Sequence, residues 1–259
     1  MDVDSYLTRL SKALEIDSNL KGKIENSIEY LKKEIWGLFQ DKLHIVTVFG
    51  SFDRGTFISE DENSDVDILV IFKNDEYQPD TYLNQIRKLC DKKIYPRTEV
   101  YSDHPSVVVP LEHVKFEIIP AYQYSGDTVK IPAPRGKELK WIKTSPTVFK
   151  KNVLTKNSNN GNMILPTIRI LKYWNYLNGR PFDSYYLEDF IITHSYSYCS
   201  VLKEYVYEVI SDLNNKGFEN ELGGLVTNLY ENRRRLLALE KEQLSEYLEH
   251  ELNLFLPFP

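Results

Sequence analysis

Cysteine is nearly absent from this 259-residue chain: Cys90 and Cys199 stand far apart and in no metal-ligand spacing. They read as buried thiols, which removes a disulfide framework and a zinc site from consideration. Histidine is equally thin. His44, His104, His113, His194 and His250 are dispersed, so neither a histidine-based nucleophilic centre nor an inserted zinc ribbon is expected. His104, near a strand turn, reads as a surface or satisfied core residue. No apolar run approaches the length of a bilayer span, and the acidic opening MDVDSYLTRL lacks an apolar signal core. The expected location is therefore cytoplasmic, without a membrane partner. Positive charge is in deficit: 32 Lys and Arg face 38 Asp and Glu, a net charge of −6. A surface built to coat nucleic acid is usually basic, so stable nucleic-acid binding is not expected. The run Arg233-Arg234-Arg235 with Lys241 lies among glutamates in a helical stretch and reads as a solvated helix face. No internal repeat and no long disordered tail is visible.

What is present is globular composition, 42% hydrophobic and 27% charged, enough for one compact body or two lobes sharing a cleft. From Val3 to Trp36 the residues Leu7, Leu10, Leu14, Leu20, Ile24, Ile28, Leu31 and Ile35 recur at helical intervals, and Asp17-Ser18 marks a break and an N-cap between a short helix and a long one. The period then changes. His44–Phe49 and Val66–Phe72 read as buried central strands, with further strands over 98–101, 106–109 and 113–119 and a helix over 81–90. After Pro146 the strand signal fades. A helical pattern starts at Met163 and continues in pieces to about Leu252, while Lys156–Asn162 is polar and turn-rich and reads as a loop between lobes. The expected class is α/β (α+β), with residues 1–155 forming a mixed-sheet core with N-terminal helices and 156–259 a helical lobe.

Between the first two strands lies Gly50-Ser51-Phe52-Asp53-Arg54-Gly55-Thr56, followed by Asp65 and Asp67. Residues two apart on a strand share a face, so both carboxylates can address one pair of Mg²⁺ ions. A third carboxylate, Glu117, stands among apolar neighbours in Val114–Ile119, where burial without a cation is costly and a metal explains it. At Gly50 the backbone can approach phosphates, with exposed N–H groups and the Ser51 hydroxyl as donors. Asp-x-Asp alone is more often an exposed loop or a salt-bridge partner; the ordered set of Gly-Ser, Asp-x-Asp and strand acid points to two-metal phosphoryl chemistry. Asp53 and Arg54 read as an ion pair or helix-start contact that holds the turn, with phosphate contact by Arg54 the lesser alternative. Asp75 and Glu76 read as solvent-facing.

The stretch GSFDRGTFISEDENSDVDILVIF resembles the core of the CD-NTases, bacterial relatives of cyclic GMP-AMP synthase and oligoadenylate synthase. FEIIPAY is similar to their third metal-ligand strand, LPTIRILKYWN and SYYLEDF to their helical lobe, and LFLPFP to their ending. The resemblance implies a polymerase β-type nucleotidyltransferase core, with Asp65, Asp67 and Glu117 as catalytic Mg²⁺ or Mn²⁺ ligands. It also implies that Ser51 binds the donor triphosphate, Lys172 neutralises it, Ser184 touches phosphate and Tyr185 stacks on a base. Taken by residue type alone, Lys172 also fits a solvated helix lysine, Ser184 a helix cap and Tyr185 core packing. Glu stands at 117 where many members carry Asp, one methylene longer. The chain is compact for such a synthase, so acceptor-side elements are expected to be short or supplied by a partner.

The resemblance implies a synthase that joins nucleoside triphosphates into a cyclic di- or oligonucleotide second messenger in bacterial anti-phage (CBASS) signalling, with an activating partner protein or ligand. Two alternatives stand beside it. One is a nucleotidyltransferase acting on RNA ends, similar to archaeal CCA-adding enzymes. The other is a catalytically idle nucleotide-binding module, which the three mutually repelling carboxylates disfavour.

Overall fold

The computed structural model describes residues 2–74, 78–91, 101–103, 105–133 and 140–259, with secondary structure alone described at 101–103 and the side chain of Ser245 left aside. The chain divides into two compact units, one of Asp17–Phe57 and Asn63–Lys151, the other of Met1–Ile16, Ile58–Glu62 and Asn152–Pro259. The first sixteen residues and 58–62, expected with the core, thus group with the helices.

The first unit is a helix-flanked mixed sheet. Helix α2 (Ser18–Phe39) is capped by Asp17, whose carboxylate accepts from the Asn19 and Leu20 N–H groups, and it buries Ile24, Ile28, Leu31, Ile35 and Phe39. Strand β1 (Leu43–Phe49) leads into α3 (Gly50–Arg54), then β2 (Asp65–Phe72) and α4 (Pro79–Leu89). Strands β3 (Tyr101–Asp103), β4 (Ser106–Pro110), β5 (Lys115–Ser125), β6 (Thr128–Pro132) and β7 (Trp141–Thr144) complete a sheet ordered β1-β2-β5-β4-β3, with β6 bridging β5 and β7. Only β2 and β5 pair in parallel among the described strands.

Two strand expectations need correction or restriction. β2 is central and buried, but β1 has a described neighbour on one side only, and Ile45 is 44% exposed. A β-branched run reports fit to a pleated surface, not rank within a sheet. Of the strand expected over 98–101, residues 98–100 lie outside the described residues, as do Asp75, Glu76 and His104.

In the second unit α1 (Val3–Ala13) packs on α6 (Ile164–Leu177), α8 (Leu202–Asn215) and α10 (Ser245–Phe255), and α6 packs on α7 (Ser184–Thr193). Helix α9 (Asn220–Lys241) packs on α8 and α10. The C-terminal LFLPFP segment docks on α1: the Tyr6 hydroxyl donates to the Leu256 carbonyl at 2.7 Å, and its ring meets Phe258 edge-on. On α9, Arg234 pairs with Glu231 and Arg235 with Glu251, as a solvated face does, but Arg233 departs from that expectation: it is half-buried, its guanidinium 5.3 Å over the Tyr207 ring and 5.5 Å over the Tyr230 ring. Both cysteines are free; Cys90 is buried as expected, whereas Cys199 is only half-buried. Among the described residues no helix is long and apolar enough to cross a membrane.

The loop expected at Lys156–Asn162 shrinks to a turn over 160–162. Helix α5 runs Pro146–Asn159, so helix begins well before Met163. The asparagines that suggested a loop tie two helices together: Asn157 donates to Asn162 Oδ1 at 3.0 Å and accepts from the Leu165 N–H at 3.0 Å. Their side chains satisfy the open start of α6.

Candidate active site

β2 and β5 run in parallel register, with Asp65 opposite Lys115 and Asp67 opposite Glu117. Because side chains alternate along a strand, these four share one face of the sheet. The intervening Val66, Ile68, Phe116 and Ile118 are buried on the other. The local sequence thus writes core on one side and charge on the other.

Within the cluster, Lys115 Nζ lies 3.5 Å from Asp65 Oδ2 and 3.5 Å from Glu117 Oε1. The Ser106 hydroxyl, brought alongside by β4, donates to Glu117 Oε2 at 3.2 Å. Burial, and then the charge of Glu117, push the Asp65 carboxyl up to about 6 against the opposing pull of Lys115. Burial works against the Lys115 ammonium, but Asp65 and Glu117 outweigh it and hold its pKa above the ordinary lysine value. Neither Lys115 nor Ser106 was singled out from the sequence. Lys115 was legible, two residues before Glu117 on the same strand; Ser106 depends on the pairing of β4 with β5.

Gly50 is required twice over. Its φ is +73°, and a Cβ there would lie 1.8 Å from Asp67 Oδ2, so only glycine lets that carboxylate rest against the start of α3. The turn that follows is held by backbone: Gly55, at φ 76°, ends α3, and the Thr56 N–H donates to the Ser51 carbonyl at 2.9 Å. Asp53 pairs with Lys150 at 2.7 Å, and the Arg54 guanidinium stands 5.1 Å over the Phe149 ring. Asp53 thus does form an ion pair, with a lysine of α5.

Lys172, Ser184 and Tyr185 lie in the helical unit. Lys172 is not a solvated lysine: it is buried on α6 and pairs at 3.4 Å with Glu188 of α7, the two side chains being 6% and 1% exposed. The cap of α7 is Asp183, whose carboxylate accepts from the Tyr186 N–H, and Ser184 is the first helical residue. Tyr185 is 57% exposed and no part of a core. The turn over 178–181 is locked by reciprocal bonds between the Asn175 amide and the Phe182 backbone, both 2.9 Å. Arg180, at φ 59°, chelates Asp61 there.

Among the described residues no three Asp, Glu, His or Cys side chains form a ready metal cage, and Asp65 and Glu117 turn to Lys115 instead. The donor set still fits magnesium or manganese. Mg²⁺ is commonly held by one or two carboxylates plus substrate phosphates and water, not by an all-protein cage. Two part-buried carboxylates, Asp65 and Glu117, share the single ammonium of Lys115, a negative excess that a divalent cation would offset.

Residues 1–157 match the Second Messenger Oligonucleotide or Dinucleotide Synthetase (SMODS) domain. The chain belongs to the SMODS family. Among relatives of this SMODS chain, the CCA-adding enzyme of Saccharolobus shibatae is 31% identical over 129 residues, covering 48% of this chain and 28% of that protein. The SMODS chain therefore spans little more than a quarter of the length of such enzymes. A Bacillus cereus protein named as a probable cyclic nucleotide synthase is 23% identical over 236 residues, covering 73% of this chain and 70% of its own. The fold matches CdnC of E. coli MS115-1, solved with ATP, at a TM-score of 0.78 and 13% identity over 100% of this chain and 99% of that one. The mixed sheet with its helical lobe is thus the CD-NTase fold, as the sequence resemblance implied.

Proposed function

We propose that the protein is a magnesium- or manganese-dependent nucleotidyltransferase that joins nucleoside triphosphates into a cyclic di- or oligonucleotide second messenger, releasing pyrophosphate. The observation that carries this reading is the grouping of Asp65, Asp67 and Glu117 on one face of two parallel strands, in a chain of the SMODS family.

In this reading Asp65, Asp67 and Glu117 hold the metal, which when bound lowers the pKa of an attacking hydroxyl and offsets charge at the phosphorus. The hydroxyl oxygen bonds to the α-phosphorus of the donor, the bond to the bridging oxygen breaks, and pyrophosphate leaves with that electron pair. Glu117, whose Oε2 is steadied by Ser106, takes up the hydroxyl proton. Gly50 admits the Asp67 carboxylate and Ser51 donates to the triphosphate. Among the helical residues 156–259, Lys172 and Ser184 are assigned to the phosphates and Tyr185 to the base. The proposed setting is cytoplasmic bacterial anti-phage signalling. CdnC of E. coli has also been solved in complex with HORMA-deltaN, which supports a protein partner here, proposed to be an activating one.

The match to CCA-adding enzymes favours a second reading, addition of nucleotides to RNA ends. The net charge of −6 speaks against an RNA-coating surface. One experiment separates the two: incubation with four labelled triphosphates and Mg²⁺ or Mn²⁺, with and without a transfer RNA lacking its 3′ end, then phosphatase and chromatography. A phosphatase-resistant small product supports the synthase. Label on the RNA alone supports the second reading, and no product together with no binding of any of the four triphosphates in the presence of metal supports an idle module.

A further inference from the structure

We propose that Lys115 is a built-in counter-cation of the carboxylate cluster, so that divalent metal enters by displacing its ammonium and does so most readily together with a triphosphate. The inference rests on Asp65, Asp67 and Glu117 being the metal ligands, and it assigns a positioning role to a residue outside that set. Backbone geometry puts Lys115 there: it stands opposite Asp65 in the parallel register and two residues before Glu117 on the same strand. Its Nζ is equidistant, 3.5 Å, from one oxygen of each carboxylate.

The chemistry suits a placeholder. Lysine is a compact point charge on a flexible stem, without the rigid two-pronged fork that lets arginine grip a carboxylate. Its side chain is 26% exposed, leaving the ammonium a path outward. A metal ion arriving alone must take Asp65 and Glu117 from this ammonium. A metal arriving with a triphosphate brings phosphate oxygens as further ligands, and the same phosphates offer the displaced ammonium a new anionic partner. Metal and triphosphate then bind cooperatively, each strengthening the other by the same factor.

The test is Mn²⁺ binding to the full chain, followed by electron paramagnetic resonance of the free ion, with and without a non-hydrolysable ATP analogue, the Mn²⁺ taken up by the analogue in protein-free samples being subtracted. Expected for the wild type is weak Mn²⁺ binding alone, tightened about fivefold or more by the analogue. Lys115→Met, with Lys115→Gln as a second variant should the first fold poorly, should bind Mn²⁺ alone several-fold more tightly and show a smaller gain from the analogue. Unchanged or weakened Mn²⁺ binding in a folded Lys115 variant overturns the proposal, as does a wild type whose Mn²⁺ affinity ignores the analogue. Asp67→Asn separates the two levels of failure. If it keeps wild-type Mn²⁺ binding, the metal-site reading falls with the proposal; if it loses binding while the Lys115 variants gain none, Lys115 alone is misassigned.

Discussion

Asp67 Oδ2 occupies the space that a Cβ at residue 50 would need, 1.8 Å from its ideal position. The glycine of the Gly-Ser pair is therefore a condition for the carboxylate's place as well as for any approach to phosphate. Gly50→Ala should displace Asp67 and strain a residue at φ +73°, lowering metal-dependent pyrophosphate release at least tenfold. Turnover and circular dichroism on the purified variant check this, and a fully active Gly50→Ala variant would show that the close approach is dispensable.

Asp65 makes a prediction whose sign runs against intuition. An unfolded Asp ionises near 3.8, whereas the folded carboxyl sits at about 6, so the native state holds the proton longer and stability falls as pH rises through that window. Above pH 6 the ionised, buried carboxylate costs on the order of 1–3 kcal/mol. Asp65→Asn should raise the melting temperature of the metal-free protein at pH 7.5, with little gain near pH 4. Together with Asp67→Asn it should abolish pyrophosphate release while leaving the circular dichroism spectrum intact. A double variant with unchanged turnover removes the central functional claim.

Glu117→Gln should lose activity without a large loss of stability. The glutamine carbonyl can still accept from Ser106, and the buried partners Phe116 and Ile118 are untouched. Retained activity would mean that the third metal ligand lies elsewhere.

Lys172 cannot be tested by truncation alone. Removing it takes away the ammonium at 3.4 Å from the buried Glu188 carboxylate, and breaking such a pair costs about 3–5 kcal/mol. We expect Lys172→Ala to melt markedly lower, and Lys172→Met with Glu188→Leu to recover most of that loss. The double variant should still bind every triphosphate more weakly, and to a similar degree, because a lysine reads charge and not base. Calorimetric titration with the four nucleotides decides it, and undiminished binding would remove Lys172 from the pocket.

Tyr185, exposed on α7, offers a cleaner readout. Tyr185→Ala should shift stability by less than about 0.5 kcal/mol. It should weaken nucleotide binding by roughly 1–3 kcal/mol and unevenly across the bases, as loss of a stacking face does. Equal affinities for all four nucleotides before and after the change would rule out stacking.

The sequence by itself determined what depends on near neighbours. A period of two placed Asp65 with Asp67, a helical period marked the buried stripe of α2, and Asp17 announced its cap. Tertiary structure decided the rest, because strand order and side-chain partners are set by contacts between segments far apart in the chain. Local pattern does not say that β2 pairs in parallel with β5, so the meeting of Asp67 with Glu117 and of Lys115 with Asp65 came only with the fold. Nor did it show that β1 has one described neighbour, or that the asparagines of 157–162 close a helix junction where a loop was expected. Lys172 makes the same point: a lysine's identity is silent on burial, and it took the packing of α6 on α7 to set it against Glu188.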